Sequence, residues 1–186
     1  MEKITHKRWT LISTIILLTG AVWIWISIPS AGATTSGKIP APQTGFLAPD
    51  FSLQDMEGNM VTLSDHKGTP ILLNFWASWC PTCRREMPAM QNAYNQYKDE
   101  GFVILAINST HQDDIDAASE FISDLGITFP ILLDTYGQAS KDYQVRSLPT
   151  SFFIDQNGTI TDIVIGGPLS DALLRIRIGD LLEKNS

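Results

Sequence analysis

Short apolar runs along the chain alternate with segments whose apolar residues recur at helical spacing. Ile71–Trp76 and Phe102–Ile107 are nearly continuous apolar runs of strand length, which is typical of strands buried on both faces of a sheet. Between them, Arg84–Lys98 predicts an amphipathic helix that ends before Gly101. The apolar residues of this helix that are expected to face the core are Met87, Met90, Tyr94 and Tyr97.

The remaining segments predict a hairpin at the start of the domain and further strands and helices towards its end. Phe51–Leu53 and Met60–Leu63 flank a turn over residues 56–59, the pattern of a β-hairpin. The later elements are helices at Asp113–Leu125 and Gly137–Tyr143, a last helix that Ser170 caps and that runs through Leu182, and strands at Phe129–Leu133, Thr150–Asp155 and Thr159–Ile165. Alternating strands and helices with an antiparallel finish predict an α/β sheet with helices on both faces.

The N-terminus carries an uncharged apolar run, residues 9–28. At about 1.5 Å per residue it reaches roughly 30 Å, the hydrocarbon thickness of a bilayer. Three Lys and Arg residues precede the run, and none follows it before Lys38. By the positive-inside rule we predict that residues 1–8 form a cytoplasmic tail, that 9–28 are a single transmembrane anchor in the cell membrane, and that the rest lies outside the cytoplasm.

A cleaved signal peptide is the alternative for this segment, because Ala31-Gly32-Ala33 has the small-x-small form that signal peptidases accept. The apolar region of a signal peptide is usually about 7–15 residues, which is shorter than this run, so we favour the anchor. Both alternatives place the domain outside the cytoplasm. Residues 29–44 are rich in Pro, Gly, Ser and Thr, which indicates a linker, and the domain is predicted to span 45–186.

Composition and charge narrow the class of protein. Of 186 residues, 44% are hydrophobic and 18% are charged, a balance typical of a globular domain. The formal net charge of −7 argues against a nucleic-acid partner, which requires a basic patch. The two cysteines are too few for a disulfide scaffold, and the three scattered histidines do not supply about four zinc ligands. We therefore expect no metal site and no cofactor.

Cys80-Pro81-Thr82-Cys83 follows the first buried strand and opens the amphipathic helix. Residues three apart on the first turn of a helix share a face, so the two sulfurs can form a disulfide. The N-terminal end of the helix dipole favours a thiolate and lowers the pKa of Cys80. We predict that Cys80 is the exposed nucleophile and that Cys83, one turn deeper, resolves the mixed disulfide and releases the partner.

Leu73–Cys83 resembles the active-site segment of the thioredoxin superfamily, and Pro88 matches the helix-kinking proline of that family. Leu148-Pro149-Thr150 resembles its cis-proline loop. The resemblance implies a thioredoxin fold in which a cis peptide bond before Pro149 faces the two cysteines. It also implies substrate contacts along the motif and the proline loop, at Trp79, Pro81, Thr82, Leu148 and Pro149.

Within the superfamily the chain is similar to the ResA/TlpA-type group of membrane-tethered thiol-disulfide oxidoreductases. Ala48–Leu53 resembles the opening hairpin of that group, and Arg84–Pro88 resembles its sequence after the second cysteine. Residues 113–133 resemble its insertion between the central βαβ unit and the cis-proline. The resemblance therefore implies a thioredoxin fold with an N-terminal β-hairpin and a central α/β insertion, preceded by one transmembrane helix.

One buried position differs from thioredoxin itself. Thioredoxins carry an Asp behind the disulfide, and Asn74 stands at that position here. ResA-like proteins resemble this chain there and use a Glu near the cysteines, which Glu86 matches. Glu86 follows Cys83 by three residues, on the same helical face. The resemblance implies that Glu86 tunes the protonation of the thiols as a base for Cys83, and the alternative is an acidic residue that only favours the helix dipole.

The same resemblance implies a function and its partners. It points to the reduction of disulfides in exported proteins, with apocytochrome c as the leading candidate, because haem attachment requires both thiols of its CxxCH motif. The electrons are expected from a membrane carrier of the CcdA type.

Two other functions use the same fold. A peroxiredoxin carries Thr or Ser three residues before its cysteine and a Pro four residues earlier still, where this chain has Ala77 and Leu73. A copper-delivery module of the Sco type spaces its cysteines more widely and adds a downstream His, and no His follows His111. Disulfide exchange is the favoured prediction, and these two functions are its alternatives.

Overall fold

The structure, a computed structural model, describes residues 9, 12, 14, 16–20 and 39–183. The chain divides into two units, residues 1–35 and 36–186. The described residues of the first unit are helical, whereas the predicted tail, most of the predicted anchor and residues 29–38 of the predicted linker lie outside the described residues. Among those that are described, no helix has both the length and the apolar character needed to cross a bilayer. The membrane topology therefore stays a prediction.

A single mixed sheet forms the centre of the domain. Its strands are β1 Ser52–Asp55, β2 Met60–Thr62, β3 Ile71–Trp76, β4 Val103–Asn108, β5 Ile131–Leu133, β6 Thr150–Ile154 and β7 Ile160–Ile165. Their order across the sheet is β2-β1-β5-β4-β3-β6-β7. β3 pairs in parallel with β4 and antiparallel with β6. All residues of β3 are buried, as its continuous apolar run predicted.

Helices cover both faces of this sheet, which confirms the predicted α/β layering. Within residues 39–183 they are α1 Pro81–Tyr97, α2 Ile115–Leu125, α3 Gln138–Asp142 and α4 Asp171–Glu183. Met90 of α1, Phe121 of α2 and Ile178 of α4 share one core cluster on the first face. Phe51 beside β1 and Tyr143 at the end of α3 belong to the cluster on the second face.

The hairpin and the insertion lie where the resemblance implied. β1 pairs antiparallel with β2 around a turn in which Gly58 has a φ of +90°, a conformation that glycine adopts without steric cost. β1 also pairs antiparallel with β5, and β5 pairs in parallel with β4. The inserted α2–β5 unit therefore joins the hairpin to the central strands of a thioredoxin-like fold.

N-cap residues set where α1 and α2 begin. α1 already begins at Pro81, because Cys80 is its N-cap and proline is well suited to the first helical position. α2 begins at Ile115 and not at Asp113, because Asp114 is its N-cap and accepts a backbone N–H of the first turn at 2.9 Å. Asp113 therefore precedes the helix and bonds elsewhere.

The domain already makes contacts at Pro40, before the predicted domain start at Gly45. Pro40 forms an isolated bridge with Leu47, and the Ala41 N–H donates to the Leu47 carbonyl at 2.9 Å. The Gly45 N–H donates to the carbonyl of Ile160 in β7 at 2.8 Å. The end of the predicted linker is therefore hydrogen-bonded to the first residues of the domain, and these in turn bond to the edge of the sheet.

Candidate active site

The connection between β3 and α1 carries the two cysteines. A hydrogen bond of 3.2 Å from the Cys80 N–H to the Ala77 carbonyl closes the turn that follows β3. Cys80 and Cys83 form a disulfide with their Cα atoms 5.3 Å apart. The predicted pair is thus assembled where a buried strand ends and a helix makes its first turn.

The two sulfurs differ in access and in hydrogen bonding. Cys80 is 3% exposed and Cys83 is 0% exposed, so Cys80 is the more accessible of the two, although it is not freely exposed as predicted. The Cys83 N–H donates to Cys80 Sγ at 3.1 Å. In the reduced protein this N–H and the positive end of the helix dipole stabilise a thiolate. The geometry therefore favours Cys80 as the attacking sulfur.

The proline loop lies at the same end of the sheet as the disulfide. The peptide bond before Pro149 is cis, as predicted, and a second cis bond, before Pro168, was not predicted. Phe75 of β3 pairs with Thr150 of β6. Pro149 therefore lies at the strand end beside the turn that carries the cysteines, where it is buried and Leu148 is half-buried.

Glu86 is fully buried between β3 and the segment before α4. Its Oε1 accepts the side-chain amide of Asn74 at 2.8 Å, and its Oε2 accepts the Leu169 N–H at 2.9 Å. The same amide nitrogen of Asn74 donates to Ser151 Oγ at 2.8 Å. The hydrogen-bond partners of this carboxylate are polar groups of the scaffold and not the sulfurs, so a role for Glu86 at Cys83 stays a prediction.

Burial dominates the electrostatics of this carboxyl group. Desolvation raises the pKa of Glu86, and the hydrogen bonds from Leu169 and Asn74 lower it by less. Asn74 Oδ1 has no hydrogen-bond partner, and an amide turned by half a rotation presents that oxygen to a protonated carboxyl. Asn74 can therefore bond Glu86 in either protonation state, which an ionised Asp at this position could not do.

Gly167 brings Glu86 and the proline loop together. A Cβ atom added at Gly167 would lie 2.5 Å from Glu86 Oε2 and 2.7 Å from Pro149 Cγ. Real Cβ atoms do not approach other atoms so closely, so only glycine fits between these two side chains. The buried carboxyl group and the cis-proline are therefore neighbours across a single glycine.

The other predicted contact residues line the rim of the disulfide. Trp79 is 56% exposed, and its indole N–H donates to the Gln112 carbonyl at 3.1 Å. Pro81 is exposed and Thr82 is half-buried. The Thr82 hydroxyl accepts a hydrogen bond from Arg85 at 2.9 Å. The structure places these residues around the cysteines, and their contact with substrate stays a prediction.

Comparisons with known proteins agree with this arrangement. The sequence model described as the AhpC/TSA family matches residues 44–163. The chain belongs to the AhpC/TSA family. It is 42% identical over 126 residues to the thiol-disulfide oxidoreductase ResA of Geobacillus kaustophilus, covering 68% of this chain and 71% of that protein. It is also 42% identical over 134 residues to the thioredoxin-like protein YneN of Bacillus subtilis, covering 72% and 78%.

A solved structure extends the agreement to the fold. A protein from Chlorobium tepidum, described as the thiol:disulfide interchange protein DsbE, superposes with a TM-score of 0.69 at 35% identity, over 75% of this chain and 98% of its own. Together with the relatives, this match confirms the thioredoxin-like fold and the enzyme class. Within its family the chain is a thiol-disulfide oxidoreductase of the ResA type.

Asp113 is a residue beside the site of this oxidoreductase that was not predicted from the sequence. Its carboxylate accepts the Ser78 backbone N–H and the Asn108 side-chain amide, both at 2.7 Å. In the sequence, the adjacent residues Asp113 and Asp114 could have indicated such a role. A helix uses only one of them as its N-cap, which leaves the other carboxylate for a different partner. That signal does not identify Ser78, which lies 35 positions away in sequence.

Glu86→Gln is expected to remove a pH dependence of stability. Burial raises the pKa of Glu86 above its ordinary value of 4.5. At pH values between the ordinary and the raised pKa, the folded protein therefore holds a proton that the unfolded chain releases. Stability from such a group is present below the ordinary pKa and is lost as the pH rises through the folded value. We expect the wild type to lose free energy of unfolding relative to Glu86→Gln as the pH rises above 4.5, measured by urea denaturation of the oxidised proteins.

The control for this prediction is Glu120→Gln, which removes an exposed carboxylate from α2. Its stability is expected to follow that of the wild type across the same pH range. Parallel curves for the wild type and Glu86→Gln would contradict the effect of burial on this group.

Proposed function

We propose that this oxidoreductase is anchored in the cell membrane by residues 9–28 and reduces disulfides in exported proteins outside the cytoplasm. The observation that carries the proposal is the hydrogen bond from the Cys83 N–H to Cys80 Sγ at the start of α1, since it prepares one sulfur as a thiolate. The basic tail before an uncharged run supports the location, and disulfides form and persist in oxidising compartments.

Reduction of a client proceeds in two exchange steps. The Cys80 thiolate attacks one sulfur of the client disulfide, and the other client sulfur leaves as a thiolate and takes up a proton. Cys83 then loses its proton and attacks Cys80 Sγ, which releases the second client thiol and forms the Cys80–Cys83 disulfide. The client gains two electrons and two protons, and a membrane dithiol carrier of the CcdA type returns the enzyme to its reduced state.

Glu86 is the group that we propose to accept the proton of Cys83 in the second step. Its raised pKa brings it closer to that of a thiol than an ordinary carboxylate, which favours proton transfer. Thiol titration of reduced Glu86→Gln tests this role. Thiol pKa values equal to those of the wild type would leave Glu86 a structural residue only.

The candidate client is apocytochrome c, whose CxxCH cysteines must be reduced before haem attachment. The rim of Trp79, Pro81, Thr82, Leu148 and Pro149 is proposed to bind the client backbone around its disulfide. Peroxidase activity has less support, because Ala77 is buried and lacks the hydroxyl that a peroxiredoxin carries at that position.

Capture of clients tests the proposed function directly. Cys83→Ala in the full-length chain is expected to stall the mixed disulfide on Cys80, because the resolving thiol is absent. Mass spectrometry of the disulfide-linked products should identify exported proteins, with apocytochrome c among the first to examine. Cys80→Ala, which lacks the attacking sulfur, is the matched control and should capture none.

Two outcomes would contradict the proposal. If Cys80→Ala captured clients and Cys83→Ala did not, the roles of the two cysteines would be reversed. If the captured proteins were cytoplasmic, the proposed location would be wrong.

A further inference from the structure

Asp113 accepts two hydrogen bonds from Ser78, a residue of the turn before the cysteines. Its Oδ2 accepts the Ser78 backbone N–H at 2.7 Å, and its Oδ1 accepts the Ser78 hydroxyl. Ser78 lies inside the turn that the Cys80 N–H closes onto Ala77. A carboxylate that accepts two hydrogen bonds from one residue fixes the orientation of that residue as well as its position.

The segment that carries Asp113 is itself bound to the sheet. Asp113 Oδ2 also accepts the side-chain amide of Asn108, the buried last residue of β4, at 2.7 Å. The Gln112 N–H donates to the Ser109 carbonyl, and the Ser109 N–H donates to the Trp76 carbonyl, each at 2.9 Å. The start of the insertion and the end of β3 therefore form one hydrogen-bonded unit.

Trp79 is held by the same unit. The Gln112 carbonyl accepts its indole N–H at 3.1 Å, while 56% of the residue stays exposed. Trp79 directly precedes Cys80 in the chain, and we expect a polypeptide that approaches the sulfur to contact its exposed ring. Fixing a side chain before binding removes the entropic cost of ordering it in the complex.

We propose that Asp113 is a positioning residue that holds Ser78, and through it Trp79, in the arrangement that a polypeptide disulfide requires. It acts on recognition of the polypeptide and not on the reactivity of the sulfurs, since its hydrogen bonds go to Ser78, Asn108 and the following N–H. The inference rests on the proposed role of Cys80 as the attacking sulfur.

Two chromogenic disulfides separate positioning from reactivity. One is a short peptide whose single cysteine carries thionitrobenzoate, and the other is free cysteine with the same group. In both, the Cys80 thiolate attacks the cysteine sulfur of the probe, and thionitrobenzoate leaves as a coloured thiolate. Cys83 then attacks Cys80 Sγ, releases the probe thiol and forms the disulfide. The probes differ only in the polypeptide around the reacting bond.

The reduced full-length Asp113→Asn variant is expected to react about fivefold more slowly with the peptide probe, the cost of ordering one side chain on binding. The rate with the cysteine probe is expected to stay within about twofold, since the sulfurs are untouched. The matched control is Asp114→Asn, which makes the same charge change at the neighbouring residue that caps α2. Asparagine caps a helix as well as aspartate does, so this control should resemble the wild type with both probes.

Three results would overturn the inference: an equal loss with both probes, an Asp113→Asn variant that matches Asp114→Asn, or an additional loss when Asp113→Asn is combined with Trp79→Phe. The double variant is informative because phenylalanine lacks the N–H through which the Trp79 ring is held. If Asp113 acts through Trp79, removing its carboxylate from the Trp79→Phe variant should cause no further loss.

A second variant and a check on the chemistry complete the test. Ser78→Ala removes only the hydroxyl bond and is expected to slow the peptide probe about twofold. If Asp113→Asn does not fold, an unchanged rate in Ser78→Ala overturns the inference. Cys80→Ser should be inert to both probes, and a reactive Cys80→Ser would refute the proposed function instead of the role of Asp113.

Discussion

Cys80→Ser is expected to stop disulfide exchange almost completely. A serine hydroxyl is not ionised at neutral pH, so the variant lacks the attacking thiolate. Cys83 is 0% exposed, so we expect an incoming disulfide to react with it far less readily than with Cys80. We expect the rate of exchange to fall on the order of a thousandfold or more, measured as release of thionitrobenzoate from the cysteine probe by the reduced protein.

Cys83→Ser gives the contrasting result for this prediction. It keeps Cys80 and should still release thionitrobenzoate, but the mixed disulfide should persist because nothing resolves it. Intact-protein mass spectrometry distinguishes the two variants by the mass of the retained probe. Retention of the probe by Cys80→Ser, and none by Cys83→Ser, would reverse the assignment.

Gly167→Ala is expected to have the largest effect on stability. The added methyl group would overlap Glu86 Oε2 and Pro149 Cγ, and the φ of +35° at this position is unfavourable for alanine. Overpacking costs about 1–3 kcal/mol and the left-handed conformation about 1–2 kcal/mol. We expect the free energy of unfolding to fall by roughly 3 kcal/mol, and the exchange rate to fall as well, because both neighbours are displaced.

Gly166→Ala separates the two causes of that loss. Gly166 also has a positive φ, +83°, but a Cβ atom there would meet nothing within 4 Å. Its free energy of unfolding is expected to fall by only about 1 kcal/mol, with the exchange rate unchanged. Equal losses in the two variants, measured by urea denaturation, would mean that backbone conformation alone explains the effect.

The parts of the fold that follow a local pattern could be predicted from the sequence. The apolar run Ile71–Trp76 is a fully buried strand with the predicted bounds. The motif opens a helix because Cys80 caps it and Pro81 suits its first position. The cis bond before Pro149 followed from the resemblance of its loop and not from periodicity.

Contacts between distant segments could not be predicted in this way. The bond from Ser78 to Asp113 and the fit of Gly167 against Glu86 depend on which loops meet at one end of the sheet. Hydrophobic spacing describes the face that an element buries, but not the partner of a polar residue in a loop. For the same reason helical spacing placed Glu86 near Cys83, while its hydrogen bonds to Asn74 and Leu169 became visible only in the structure.

The disulfide joins residues that are only three positions apart. In the chain-entropy model, closing so small a ring restricts the unfolded chain by about 2 kcal/mol, compared with about 4.7 kcal/mol for a hundred-residue loop. The surrounding sheet and helices, and not this bond, hold the scaffold together. We therefore expect the domain to stay folded when this disulfide is reduced and formed again during turnover.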